Sequence, residues 1–255
     1  MSGFLNNGII TSLYPDGVPS NLFYLYYILG ALLVIAVGYL LGSINSSIII
    51  SKLLYRDDIR RHGSGNAGTT NMLRTYGKGA ALLTLLGDVM KTALSVLFAA
   101  IIFGFNYVGG ISTSGFCYIA GLFTILGHIF PIYYGFKGGK GVLATAAMAL
   151  ILSPLAFLIL IIVFIVIVWA SKYVSLGSVT VAILYPVVLH GIFQVLFGTT
   201  MPGLTALSAI IAAIIIVWCH RKNLERISNR TENKISFKKK AIKPEKSSGE
   251  CNDEE

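Results

Sequence analysis

Two short glycine-rich segments carry most of the residues in this sequence that could do chemistry. Residues 63–71 read GSGNAGTTN and are termed the serine–asparagine loop below; residues 135–141 read GFKGGKG and are termed the glycine–lysine loop. Glycines let backbone N–H groups crowd around an anion, and a nearby lysine or arginine supplies the opposing charge. Both segments are therefore interpreted as phosphate-handling loops.

Neither loop fits a familiar nucleotide-binding motif. Gly63-x-Gly65-x-x-Gly68 matches the dinucleotide fingerprint, and Asp88 follows at about the expected 20 residues, but that fingerprint needs a strand and a parallel sheet. The glycine–lysine loop lacks the Ser or Thr that a Walker A motif places after its lysine. Two interpretations of the glycine–lysine loop remain. It forms an anion nest in which Lys140 acts as a mobile point charge, or it is a tight turn anchored by lysines.

Side chains around these loops could hold or activate a phosphate substrate. The serine–asparagine loop offers neutral hydrogen-bonding groups at Ser64, Asn66, Thr69, Thr70 and Asn71, with arginine forks suited to phosphate at Arg60, Arg61 and Arg74. Near the end of the last apolar run, His220 and Asn223 lie three residues apart and share a helical face. His220 is a candidate base, although a lone interfacial histidine is more often structural.

Other ionisable residues leave alternatives open. Asp88 and Lys91 fall inside an apolar run at i, i+3, where they can pair as support or take part in chemistry. His128 lies near the glycine–lysine loop and His190 has no visible acidic partner, so either can simply be packed. No cluster of metal-ligating residues and no G-x-S-x-G elbow is visible, so neither a metal nor a cofactor is expected.

The elements that position these residues must be membrane helices. A mean hydropathy of +0.76 with only 12% charged residues excludes a soluble globule. Because a bilayer core needs roughly 20 apolar residues per helix, the sequence predicts an all-α, polytopic protein. Ser153-Pro154 divides one long apolar run in two, which brings the predicted helices to about seven. They cover residues 22–42, 80–104, 110–130, 142–152, 154–170, 179–197 and 202–219.

The distribution of Lys and Arg predicts the topology. Residues 43–79 carry six of them, residues 131–141 two, residues 171–177 one and the tail from 221 onward ten, while the opposite connections carry none. Positively charged loops normally stay cytoplasmic, so the N-terminus is predicted outside and the C-terminus inside. Residues 1–235 are predicted to form one membrane domain, and residues 236–255 a disordered tail whose lysines can meet anionic lipid.

Together these segments resemble the bacterial membrane family of acyl-phosphate:glycerol-3-phosphate acyltransferases, over nearly the whole apolar region. The resemblance is carried by Gly42-Ser43-Ile44, Asp58-Ile59-Arg60, Gly63 to Asn66, Gly68, Thr70-Asn71, Leu73-Arg74, Gly127-His128, Phe130-Pro131, Phe136 to Val142, Tyr173, Ser175-Leu176, His220, Asn223, Arg226, Glu232 and Lys234. It implies an enzyme in which the 1-hydroxyl of glycerol 3-phosphate attacks a fatty acyl-phosphate, giving lysophosphatidic acid and inorganic phosphate as the first step of phospholipid synthesis.

The resemblance also implies roles for individual residues. Lys140, His220 and Ser64 are expected to be catalytic, and the expected substrate-binding residues are Arg74, Asn223, Gly138, Gly139, Gly141, Asn66, Thr70, Asn71 and Ser175. Backbone N–H groups from Gly138 to Gly141 are expected to stabilise oxyanion charge.

The implied partners are glycerol 3-phosphate, fatty acyl-phosphate, membrane lipid and the enzyme that makes acyl-phosphate, without nucleic acid. The expected location is the bacterial plasma membrane, with the site facing the cytoplasm. A transporter for phosphate or an organic phosphate is the competing class. It would place its binding groups near the bilayer midplane, rather than at the cytoplasmic helix ends.

Overall fold

The computed structural model describes residues 8–10, 20–104, 107–108, 111–112 and 114–235, and the chain there is almost entirely helical. The helices are α1 Ser20–Ser43, α2 Ser46–Tyr55, α3 Thr69–Tyr76, α4 Lys78–Phe103, α5 Ser114–Ile129, α6 Val142–Leu152, α7 Pro154–Ser171, α8 Val174–Phe197, α9 Gly203–Cys219 and α10 Arg221–Ser228. Short 3₁₀ turns occur at Ile59–Arg61 and Ile132–Tyr134. The two-residue strands β1 Tyr107–Val108 and β2 Ile111–Ser112 pair antiparallel. The predicted tail, residues 236–255, lies outside the described residues.

Helix lengths support an integral membrane protein. Within the described ranges, five helical segments are long and apolar enough to cross a bilayer, or six if α9 and α10, bent by 51°, form one span. Helix α6 has 11 residues. At about 1.5 Å per residue it covers roughly half of a hydrocarbon core, so it cannot cross alone. The number of spans and the orientation of the termini therefore stay predictions.

Helix boundaries follow local sequence signals. The predicted break at Ser153-Pro154 is confirmed, because Ser153 is the C-cap of α6 and Pro154 is the first residue of α7. The connection predicted over residues 43–79 instead contains α2 and α3. Asn45 starts α2 by accepting a hydrogen bond from the Ile48 N–H at 3.2 Å, which is an N-cap.

Helix α5 lies at the centre of the bundle, packed against α1, α4, α6 and α9. Glycines let α1 and α5 approach closely. A Cβ on Gly42 would lie 2.3 Å from the Thr124 carbonyl oxygen, and one on Gly127 would lie 2.3 Å from the Tyr39 carbonyl oxygen. Small residues allow such backbone contact between membrane helices. The crossing places the end of α1 beside the end of α5, which the 3₁₀ turn Ile132–Tyr134 connects to the glycine–lysine loop.

Candidate active site

A polar cavity of about 160 Å³ lies where the two glycine-rich loops meet the ends of several helices. It brings together side chains that are far apart in sequence. Its lining includes Ser64, Asn66, Gly68, Thr69, Thr70, Asn71, Arg74, Asp88, His128, Lys140, Gly141, Val142, Leu143, Val174, Ser175, Ser178, His220, Asn223, Arg226 and Glu232. Ten of the twelve residues expected to form the site therefore line one cavity; Gly138 and Gly139 do not.

The glycine–lysine loop is joined to the end of α5 by its own backbone. Gly138 N–H donates to the Ile129 carbonyl oxygen at 3.1 Å, and Gly139 N–H donates to the His128 carbonyl oxygen at 3.0 Å. A Cβ on Gly138 would lie 2.0 Å from the His128 carbonyl oxygen, so no larger residue fits there. The expectation that these two amides stabilise an oxyanion differs from the structure, since both are already committed to carbonyls.

Amides without an acceptor among the described residues are found instead at the start of α6. Gly141 is the N-cap, with φ of 80°, a conformation that glycine adopts without steric cost. The first helical hydrogen bond joins Thr145 N–H to the Gly141 carbonyl oxygen at 2.9 Å. The amides of Val142 and Leu143, which line the cavity, precede that bond. Helix N-termini favour anions because such amides and the helix dipole point outward.

Asn71 organises the serine–asparagine loop. Its carboxamide oxygen accepts from the Ser64 N–H at 3.0 Å. Its amide nitrogen donates to the carbonyl oxygens of Ile59, His62 and Asn66 at 3.2, 2.9 and 3.1 Å. Both donor hydrogens of this side chain and its oxygen are thus engaged within the protein. Asn71, expected to bind substrate, instead shapes the loop that presents Ser64 and Asn66.

Arg60 ties the two loops together. Its guanidinium pairs with Asp58 at 2.7 Å and donates to the carbonyl oxygens of Tyr134 and Lys137 at 2.9 and 3.2 Å. The hydrogen bond from Arg60 lowers the pKa of Asp58 to about 2, so the pair stays charged. Arg60 therefore has a structural role, rather than the phosphate-binding role its type suggested.

Arg74, which follows the serine–asparagine loop, is the one of the three candidate arginines that lines the cavity. It lies on α3 and is exposed. Among the described residues it forms neither an ion pair nor a side-chain hydrogen bond. A guanidinium without a carboxylate partner is free to bind a phosphate through two parallel hydrogen bonds.

Lys140, Asn223 and Glu232 form a network on the opposite wall. Lys140 donates to the Asn223 carboxamide oxygen, and the Asn223 amide donates to Glu232 at 2.6 Å. Glu232 also accepts from Ser175 at 2.9 Å and from Arg226 at 2.7 Å. One carboxylate thus fixes three side chains from α8 and α10. Asn223 and Ser175 were expected in the site, whereas the organising role of Glu232 was not anticipated.

The ionisation of this network suits anion binding. Burial lowers the pKa of Lys140, the Glu232 carboxylate partly offsets this, and Arg226 adds to the decrease. Burial opposes ionisation of Glu232, but hydrogen bonds from Asn223, Arg226 and Ser175 outweigh it and lower the pKa of that carboxyl. Because Glu232 is neutralised by Arg226, the ammonium of Lys140 keeps its charge available for a ligand.

His220 lies at the bend between α9 and α10 and lines the cavity. Its Nδ1 donates to the Ile216 carbonyl oxygen at 2.8 Å. In the neutral ring Nε2 then carries the lone pair and accepts hydrogen bonds. His220 is therefore suited to orient a hydroxyl group. His190, one of the two histidines left open by the sequence, is exposed on α8 and does not line the cavity.

Two hydroxyl-bearing cavity residues are outside the twelve expected site residues: Thr69, which the sequence offered only as a hydrogen-bonding group of the loop, and Ser178. Thr69 Oγ1 is buried without a hydrogen-bond partner among the described residues, and Thr69 lines the cavity. Buried hydroxyls are normally paired, so this atom fits a site that a ligand completes. Ser178 lies on α8 one helical turn from Ser175, a spacing that could have indicated it. In the part of the chain described, no three metal-ligating side chains come together.

A second cavity, about 180 Å³ and almost wholly apolar, adjoins the polar one. The two share Val142 and Leu143 at the start of α6. The remaining lining comes from α6, α7, α8 and α9, including Ala149, Phe157, Leu160, Ile161, Phe164, Ala182 and Tyr185. An amphiphile with a charged head and a hydrocarbon tail would occupy both cavities at once.

Fold and site together describe a polytopic membrane protein with a polar cavity adjoining an apolar one, and the comparisons give its class as an acyltransferase. The chain belongs to the glycerol-3-phosphate acyltransferase family, whose model matches residues 32–230. It is 41% identical over 209 residues to a glycerol-3-phosphate acyltransferase of Syntrophomonas wolfei, covering 82% of this chain and 97% of the relative. It is 42% identical over 212 residues to one of Halalkalibacterium halodurans, covering 83% and 98%.

Solved structures agree with the fold. The chain superposes with a TM-score of 0.70 and 32% identity on PlsY (YgiH), an integral membrane glycerol 3-phosphate acyltransferase in its glycerol 3-phosphate form. That match covers 81% of this chain and 96% of the other. The lysophosphatidic acid form of PlsY gives a TM-score of 0.68. The family resemblance read from the sequence is therefore confirmed.

Proposed function

We propose that this protein transfers a fatty acyl group from an acyl-phosphate to the 1-hydroxyl of glycerol 3-phosphate. The observation that carries the proposal is the charge of the cavity. Glu232 is paired with Arg226 and Asp88 with Lys91, which leaves Lys140 and Arg74 as cavity cations without a carboxylate partner in the described chain. Two such cations, with the α6 amides, match two phosphate-bearing substrates.

The adjoining apolar cavity supports a lipid-like donor. An acyl-phosphate would place its phosphate among Lys140 and the α6 amides, its carbonyl near Val142 and Leu143, and its tail among the apolar side chains beyond them. Glycerol 3-phosphate would approach from the side of Arg74 and Ser64. Holding both in one cavity supplies the proximity on which acyl transfer depends.

The reaction balances without a cofactor. The hydroxyl oxygen forms a bond to the acyl carbon, the bond from that carbon to the phosphate bridging oxygen breaks, and inorganic phosphate leaves. The hydroxyl proton goes to a phosphate oxygen, because the second pKa of a phosphate monoester is near 6 and the donor is already activated. In this account Nε2 of His220 orients the hydroxyl without removing its proton.

His220→Asn tests the proton acceptor. The asparagine amide can still donate to the Ile216 carbonyl oxygen, while the acceptor at Nε2 is lost. We expect more than about one tenth of kcat to remain, because general-base catalysis is typically worth 10²–10⁴-fold. Steady-state rates with acyl-phosphate and glycerol 3-phosphate measure this. A loss of three orders of magnitude with unchanged thermal stability would assign the base to His220.

The proposed site opens to the cytoplasm, in the plasma membrane of a bacterial cell. Support comes from the Lys and Arg of residues 43–79, 131–141 and 221–235, because residues from all three segments line the same cavity. In a variant with its own cysteines replaced, Lys137→Cys should react with an impermeant maleimide only from the cytoplasmic side. Thr199→Cys, between α8 and α9, should react only from outside; the reverse pattern would invert the topology.

An isotope experiment tests the reaction itself. Purified protein is given glycerol 3-phosphate and acyl-phosphate carrying ¹⁸O at the oxygen that bridges carbon and phosphorus. Attack on the acyl carbon predicts that all label appears in inorganic phosphate, with one lysophosphatidic acid per phosphate released. Label in free fatty acid would mean attack on phosphorus and would refute the proposal.

A further inference from the structure

A buried polar cluster lies beneath the glycine–lysine loop. It consists of Asp88 and Lys91 on α4 and His128 at the end of α5, whose exposed fractions are 1%, 4% and 3%. Lys91 Nζ lies 2.9 Å from Asp88 Oδ1, which confirms the intrahelical pair expected from the sequence. Ser46 also donates to Asp88 at 3.1 Å. Asp88 and His128 both line the polar cavity.

Lys91 ties the cluster to the end of α1. Its ammonium donates to the carbonyl oxygens of Gly42 at 3.2 Å and Ile44 at 3.0 Å. These groups belong to the end of a helix, where carbonyls lack helical partners and a cation is favourable. These bonds explain the Asp88–Lys91 ion pair as structural support for the end of α1. They do not explain why His128 is part of the cluster.

The hydrogen bonds of His128 fix which ring nitrogen carries its proton. Lys91 Nζ lies 2.9 Å from Nδ1, and an ammonium can only donate, so Nδ1 accepts. Asp88 Oδ1 lies 3.6 Å from Nδ1, too far to compete as an acceptor. The proton of the neutral ring is therefore on Nε2. This is the opposite tautomer to His220, whose Nδ1 carries the proton.

The Nε2 atom of His128 faces the glycine–lysine loop. A Cβ on Gly139 would lie 2.0 Å from Nε2, so only glycine leaves room for the ring. Among the described residues no hydrogen bond engages Nε2. Because His128 lines the polar cavity, a ligand in that cavity can supply the acceptor that Nε2 lacks among the described residues.

We propose that His128 donates a hydrogen bond from Nε2 to a phosphoryl oxygen of substrate, with Lys91 and Asp88 holding it in the required tautomer. This inference rests on the proposed function, because it takes the bound anion to be a substrate phosphate. His128 is then a neutral donor beside the cation Lys140. Its hydrogen bond orients the phosphoryl group without adding charge to the cavity. Lys91 and Asp88 act as positioning residues.

A pair of amide variants separates the two ring nitrogens. His128→Asn keeps an oxygen near the position of Nδ1 to accept from Lys91, but has no donor at Nε2. His128→Gln places its amide nitrogen near the position of Nε2. We expect His128→Asn to lose roughly 10- to 100-fold in kcat/KM, the effect of losing a hydrogen bond to a charged group. His128→Gln should stay within about fivefold of the unmodified protein.

The kinetic constants identify the phosphate concerned. KM for glycerol 3-phosphate and KM for acyl-phosphate are each measured with the other substrate saturating, and thermal stability is recorded for both variants. A rise in one KM assigns His128 to that substrate, and a loss confined to kcat assigns it to the transition state. Any of these patterns with His128→Gln active supports the proposal.

Two results would overturn the proposal. If His128 is only packed, His128→Asn, which retains the Lys91 contact, should be active, and that outcome overturns the proposal. A folded His128→Gln that loses more than tenfold overturns it too, including when His128→Asn does not fold. If the unmodified protein uses acyl-CoA rather than acyl-phosphate, the proposed donor fails. KM for glycerol 3-phosphate in the two His128 variants, measured with acyl-CoA as the donor, then still decides the role of His128.

Discussion

Replacing Lys140 with alanine is expected to lower kcat/KM for acyl transfer by about 10³-fold, the upper range for removing a preorganised group that stabilises transition-state charge. Lys140 lies in the cavity wall without a carboxylate salt bridge in the described chain, oriented by Asn223. Its ammonium is partly desolvated, so its attraction to a phosphate is screened less than that of a surface lysine. Steady-state rates of lysophosphatidic acid formation measure the loss.

Lys137→Ala is the matched control for that variant. Lys137 belongs to the same loop and carries the same charge, but it is exposed and does not line the cavity. The contact to Arg60 uses the Lys137 carbonyl oxygen, which the substitution keeps. Lys137→Ala should stay within about threefold of the unmodified rate, as expected for an exposed charge. If both variants lost the same fraction of kcat/KM, Lys140 would contribute only to the general positive charge of the surface.

Arg74→Ala is expected to cost roughly 100-fold in kcat/KM, mainly as a higher KM for glycerol 3-phosphate, because a charge-assisted bidentate contact to phosphate is lost. Arg74→Lys should recover only part of the loss, since an ammonium cannot reproduce the planar fork. KM is measured for each substrate with the other saturating.

The control for Arg74 is Arg61→Ala. Arg61 is an exposed arginine in the preceding 3₁₀ turn and does not line the cavity. Its removal should leave both KM values within about threefold, as for an exposed charge. A normal KM for glycerol 3-phosphate in Arg74→Ala would remove Arg74 from the site.

The apolar helices were predictable because their signal is long and strong. A run of about 20 apolar residues has few possible structures other than a membrane-spanning helix, and Pro154 marks the start of α7. Helices α2 and α3 were missed because they have only 10 and 8 residues and mix polar with apolar side chains. The N-cap at Asn45 was a local signal that could have indicated α2.

The chemistry of the cavity was predictable by residue type, but not always by role. Asn71 and Arg60 have the types that bind phosphate, yet the fold uses their side chains to join loops. These structural hydrogen bonds depend on which backbone carbonyls lie close to the side chain, and the tertiary structure determines that. Glu232 reaches Asn223 because the chain reverses after α10, where Arg230 adopts φ of 58°. A non-glycine residue in that conformation is uncommon, so the reversal has no clear sequence signal.

The choice of acyl donor is the most direct test of the proposed reaction. Purified protein is supplied with glycerol 3-phosphate and either acyl-phosphate or acyl-CoA of the same chain length, and lysophosphatidic acid and inorganic phosphate are quantified, with Lys140→Ala as the inactive control. We expect equal amounts of both products from acyl-phosphate and none from acyl-CoA. Product from acyl-CoA would contradict the proposed donor, and no product from either would favour a transporter of phosphate compounds.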